Sequence, residues 1–142
     1  MDWSASTTLA QRVDAVLRVP AQPASIALVR GAVAQMLRSR GWPGTARLSV
    51  LIAVSEAVTN AVQHGSLPGG PVEVDLSAGE GVAVVRVIDQ GRGAPPGQVP
   101  STDRPDERGL RLMTRIAEDV ELSARGDGTC VLMRFVRPAR EG

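Results

Sequence analysis

Lysine is absent from this 142-residue chain: all 16 basic residues are arginine, and against 15 carboxylates they leave a net charge of +1. That excludes a Walker-type phosphate-binding lysine, a Schiff-base lysine and a lysine general base together. The near balance of charge gives no whole-chain field toward nucleic acid, so no direct nucleic-acid partner is expected. Cysteine is nearly absent too. Cys130 by itself cannot form an internal disulfide or a CxxC metal site. It reads as a buried strand thiol suited to a reducing compartment. The opening MDWSASTTLAQR lacks the basic and apolar regions of a secretory leader. No uninterrupted run of about 18 apolar residues occurs, and a cytoplasmic protein without a membrane segment is expected.

What is present suits one domain. Hydrophobic residues make up 43% of the chain, enough for a core at this length. Residues 1–10 are small and polar and read as an N-terminal arm, 11–138 as the domain and 139–142 as a tail. No internal repeat or low-complexity tract interrupts it.

Alternation of Val13, Ala15, Leu17 and Val19 predicts a half-buried strand over 12–19, broken by Pro20 and Pro23. Ile26, Leu28, Val29, Val33, Met36 and Leu37 fall at helical spacing, so 24–38 reads as a helix ended by Gly41 and Pro43. A second helix follows over 48–65. After the glycine and proline turn of 65–71, Val72, Val74 and Leu76 alternate as a strand, and 82–88 is a more continuously apolar one, giving a hairpin. Residues 94–107 are rich in proline and charge, the composition of a lid or binding loop. The stretch 108–117 reads as a helix, with Leu110, Met113, Ile116 and Ala117 inward and Arg108, Arg111 and Arg115 outward. Two strands, 119–124 and 129–136, close the domain through the turn in ARGDGT. Adjacent strands on short turns imply an α+β, two-layer α/β sandwich: a mixed, mostly antiparallel sheet covered on one face by about three helices.

The helix over 48–65 carries an unusual line. Leu48, Leu51, Ile52, Val58 and Val62 fill one side and Val50, Val54, Ala57 and Ala61 another, leaving little surface for water. In the remaining sector Glu56, Asn60 and His64 stand four residues apart, stacked in one row. Such a row is either a solvated face or the wall of a polar cavity. The string VIDQGRGAPPG places Asp89 at a strand end before Gly91 and Gly93. That is either a plain turn or an acceptor beside a closely approaching ligand. Gly109 at the start of its helix leaves amides and the positive dipole end free to meet an anion. The three arginines there also suit an ordinary solvated face, Arg115 above all.

Taken together, SEAVTNAVQHG, VIDQGRG, ERGLRLM and DGTCVLM resemble, in this order and spacing, the N box, G1 box, G2 box and terminal Gly-Thr strand of the superfamily shared by gyrase, Hsp90, histidine kinases and MutL, the GHKL group with the Bergerat ATP-binding fold. Within it the chain is most similar to the small bacterial anti-sigma factor serine/threonine kinases of partner-switching systems, over nearly its whole length. The resemblance implies ATP and Mg²⁺ as ligands, a sigma factor and an anti-anti-sigma substrate as partners, and a homodimer. It implies Asn60 as the Mg²⁺ ligand, a neutral oxygen suited to a hard cation, and Glu56 as the general base. It implies Asp89 as the acceptor of the adenine amino group, selecting ATP over GTP because guanine presents a carbonyl there. Gly91 and Gly93 would let the base lie against the backbone, Arg108, Gly109 and Leu110 would form the phosphate side, and Thr129 would supplement Asp89. His64 fits the end of the N box, where a histidine near a helix C-terminus also has an adequate structural account. The G2 box departs from the family pattern at Glu107 and at Arg111, which either pairs with phosphate or narrows the pocket.

Two functions from different classes follow: a Mg²⁺-ATP dependent serine kinase, or a regulatory protein that holds ATP as a structural ligand and binds its partner without transfer. Glu56 and Asn60 together favour the kinase, since a pure binder needs no base. The catalytic domain of a split histidine kinase fits less well, because there is no second histidine.

Overall fold

The computed structural model describes residues 13–91, 106–125 and 128–138, with the side chains of 106–110 and 125 outside that description. Its elements follow in the order the sequence predicts. Strand β1 (Ala15–Pro20) leads into helices α1 (Ala24–Ser39) and α2 (Gly44–Asn60), and α2 runs on into a π-helical turn over Ala61–Gly65. The hairpin β2 (Pro71–Ala78) and β3 (Val82–Asp89) comes next, then α3 (Asp106–Ile116), β4 (Asp119–Arg125) and β5 (Gly128–Val136).

The strands form one sheet in the order β1-β2-β3-β5-β4. Every ladder is antiparallel, so the sheet expected as mixed is antiparallel throughout. β5 enters between β3 and β4, leaving β4 at the edge.

Period-two alternation sorts the side chains. Val72, Val74 and Leu76 of β2, Ala83, Val85 and Val87 of β3, and Met133 and Phe135 of β5 point into the helix layer and are buried in the core. In register they make cross-strand rows such as Leu17, Val74, Val87 and Val131. The opposite sheet face carries the cross-strand ion pairs Arg18–Glu73 at 3.1 Å and Arg134–Asp119 at 2.6 Å. Cys130 falls on that face too, buried and in no disulfide.

Helix α1 buries Ser25, Val29, Val33 and Leu37, and α2 buries Val50, Ala53, Val54, Ala57 and Val58. The continuous helical stretch Gly44–Gly65 has 22 residues and a mean hydropathy of 1.2, long and apolar enough by length and composition to cross a membrane. Here its buried residues, from Val50 to Val62, belong to the domain core, and the helix packs against α1, α3 and β3. The packing is less encircling than the sequence suggests: Leu48 and Ile52, one turn apart on α2, are exposed, as is Leu28 on α1.

The loop between α1 and α2 grips the turn of the β2–β3 hairpin. The buried Trp42 donates its indole N–H to the Gly79 carbonyl at 2.9 Å, and Arg40 Nε donates to that of Ala78 at 2.9 Å. Arg47 and Arg137 donate to the carbonyls of Trp42 and Glu80. These arginines replace missing main-chain partners at a corner without regular pairing.

Candidate functional site

The inward series Val85, Val87 of β3 continues to Asp89, so strand parity places a carboxylate on the helix-facing side at the end of the core. Asp89 is 8% exposed. Its Oδ1 accepts from the backbone N–H of Gly91 at 3.0 Å and of Thr129 at 3.1 Å, and Oδ2 accepts from the Thr129 hydroxyl at 2.5 Å. The first of these is an Asx turn, and Gly91 holds it with φ of 75°, a conformation glycine adopts without penalty. An ionised carboxylate has room for about four hydrogen bonds, so Oδ2 keeps capacity for one more donor. Asp89 and Thr129 are thereby brought together.

Two glycines make that placement possible, and neither stood out as such in the sequence. A Cβ on Gly65 would fall 2.5 Å from Cγ of Asp89, and a Cβ on Gly128 would overlap the Asp89 main-chain carbonyl. The end of the α2 helix and the start of β5 therefore close on Asp89 from two sides, at distances that leave no room for a side chain. The signals that could have found them are the glycines of the HG and DGT strings.

Glu56 and Asn60 are four residues apart on α2 and both half-buried. Neither forms a hydrogen bond or ion pair with another side chain among the described residues, which leaves their polar atoms available to a ligand. The third member of the row departs from it. Ser66 N–H bonds the Ala61 carbonyl at 3.0 Å, five residues back, so the last turn takes in an extra residue. His64 lies within that π turn, out of the regular four-residue register, and is exposed.

Beyond the π turn, Leu67–Gly70 is a type II turn: Gly70 N–H donates to Leu67 O at 2.7 Å, Pro68 takes the second position and Gly69 the third with φ of 76°. Gly69 and Ala21 pair this turn to the end of β1, at 3.0 and 2.7 Å. Ser66, fully buried, donates its hydroxyl to Pro71 O at 2.9 Å and accepts from Gln90 N–H at 3.1 Å. Sequence reasoning passed over Ser66, which lies inside a segment read simply as a turn.

α3 packs on α2 and begins at Asp106, which puts Arg108 and Gly109 in its first turn and Leu110 at the start of its second. Arg111 and Arg115 are exposed while Met113 and Ala117 are buried, as expected. Gly93 and the proline-rich loop fall outside the described residues. No cluster of three or more His, Cys, Asp or Glu among the described residues could hold a metal ion. A magnesium ion bound here would take Asn60 as its ligand from this set and the rest of its shell from phosphate and water, which suits its reluctance to dehydrate. The volume beside Gly65 and Gly128 is filled by Asp89 itself, and the group left to a ligand is the spare acceptor of its Oδ2, which suits an N–H donor.

Comparison with known proteins bears on this arrangement. The family model described as histidine kinase-like ATPase domain matches residues 19–135. No curated protein matches the sequence. Among solved structures, the RsbU and RsbW domains of Rv1364c from Mycobacterium tuberculosis share the fold, with a TM-score of 0.66 at 24% identity. The match covers 89% of this chain and 34% of that one, so the present chain spans about a third of its length.

Proposed function

The chain belongs to the histidine kinase-like ATPase domain family, and from that premise we propose that it is a Mg²⁺-ATP dependent serine protein kinase and anti-sigma factor of a partner-switching system, phosphorylating a small anti-anti-sigma protein and sequestering a sigma factor. The observation that carries this reading is the Asp89 carboxylate, fixed by Thr129 and Gly91 with one acceptor direction spare, at the end of the helix that bears Glu56 and Asn60. Asp89 accepts from the amino group of adenine and repels the carbonyl of guanine. Asn60 offers its side-chain carbonyl to magnesium. Bound Mg²⁺-ATP supplies the phosphoryl group. Glu56 takes the proton from the hydroxyl of the substrate serine. The N-terminal end of α3, with Arg108, Gly109 and Leu110, forms the phosphate side, and Gly91 and Gly93 admit the base. His64 meets a nucleotide from the exposed rim. Homodimerisation and a cytoplasmic setting belong to the same proposal.

Calorimetric titration with Mg²⁺-ATP and Mg²⁺-GTP, repeated on Asp89→Asn, tests it. Binding of ATP alone, weakened at least tenfold by the substitution, is expected from the loss of a hydrogen bond to a charged acceptor, worth about 1.5–3 kcal/mol. Binding of neither nucleotide would overturn the reading.

A further inference from the structure

Ser66 stands where three segments of the site meet. Gly65, its chain neighbour, lies against the Asp89 carboxylate, and Gln90, whose N–H it accepts, directly follows Asp89. Its own hydroxyl donates to Pro71 at the start of β2. One buried oxygen thus joins the end of the helical segment to the ends of two strands.

The geometry makes this hydroxyl a relay. It is satisfied once as donor and once as acceptor within the protein, so it is spent on position. Oδ1 of Asp89 is aimed by the N–H of Gly91, two residues on. Two peptides separate them, and Ser66 holds the first, through the Gln90 N–H. If that peptide were free, the Asx turn would lose its outer anchor, and the carboxylate would lose one of the groups that fix its plane.

We propose that Ser66 is a positioning residue for the base-binding carboxylate, acting through Gln90 and Gly91 to aim Asp89. This rests on the reading of Asp89 as the adenine acceptor. It assigns Ser66 to the adenine end of the ligand and leaves the phosphate end untouched.

The test compares wild type, Ser66→Ala, Asp89→Asn and the double variant, with adenosine and Mg²⁺-ATP as calorimetric probes and amide hydrogen exchange as a ligand-free readout. Ser66→Ala is expected to weaken adenosine and ATP by the same factor, about fivefold to tenfold, the effect of one lost buried hydrogen bond. Exchange at Gln90 and Gly91 should quicken while thermal unfolding stays cooperative. In the Asp89→Asn background the same substitution should cost no further affinity, because its effect passes through the carboxylate. Ser66→Cys keeps the volume with a weak donor and replaces the alanine variant if that one does not fold. Wild-type binding with unchanged affinity in Ser66→Ala overturns this proposal and leaves the adenine reading standing. An equal loss in the Asp89→Asn background overturns it as well, since the role would then be general. Failure of the wild type to bind either probe overturns the adenine reading and the Ser66 role with it.

Discussion

Gly65 and Asp89 are in contact in a way that only a missing side chain permits: a Cβ on Gly65 would lie 2.5 Å from Cγ and 2.7 Å from Cβ of Asp89. Carbon atoms do not approach so closely without displacement. The last turn of the α2 helix and the last residue of β3 are therefore packed backbone against carboxylate.

Gly65→Ala is expected to force the two apart. The backbone at Gly65 has no positive φ, so alanine is conformationally acceptable and the cost comes from the contact itself. Overpacking of this kind costs about 2 kcal/mol, or roughly 6–8 °C of melting temperature for a domain of this size. ATP affinity should fall more than tenfold, since the displaced group is the proposed acceptor. Thermal denaturation and calorimetry read the two effects; a stable variant with wild-type affinity would show that Asp89 tolerates displacement.

Glu56 and Asn60 should behave oppositely to Gly65 in stability. Both are half-buried without side-chain partners among the described residues, so Glu56→Gln and Asn60→Ala are expected to change stability by less than about 0.5 kcal/mol. Alanine is also the better helix former at position 60. On the proposed function, Glu56→Gln keeps ATP binding but lowers phosphate transfer by roughly 10²- to 10⁴-fold. Asn60→Ala should remove the dependence of binding on Mg²⁺. Transfer assays on Glu56→Gln and ATP titrations of Asn60→Ala with and without Mg²⁺ decide the two roles; wild-type transfer in the first would remove Glu56 as the base, and unchanged Mg²⁺ dependence in the second would remove Asn60 as the ligand.

Trp42→Phe separates stability from the site. The substitution leaves the Gly79 carbonyl without its indole donor, a loss of about 1–3 kcal/mol. Gly79 lies beyond the far end of β3, roughly 23 Å from Asp89 at about 3.3 Å per residue. Urea unfolding should show the loss while ATP affinity stays within about twofold of wild type. A large drop in affinity would mean that the two ends of the hairpin are coupled.

Local pattern determined a great deal. Alternation in β2 and β3, helical spacing in α1 and the glycine and proline punctuation specify every element to within a few residues, because a half-buried strand and an amphipathic helix each impose a period on the chain. The same alternation already places Asp89 in line with Val85 and Val87, and the four-residue spacing already stacks Glu56 on Asn60. The tertiary structure decided the rest. Which strand β5 would join, and hence that Thr129 meets Asp89, depends on a pairing between segments 40 residues apart that no local period encodes. The exposure of Leu48 and Ile52 depends on where neighbouring elements stop. The π turn that holds His64, closed by the Ser66 N–H on the Ala61 carbonyl five residues back, is invisible to a helical count. Gly65, Gly128 and Ser66 matter because two backbones and a carboxylate converge on the same small volume, and that convergence exists only once the chain has folded.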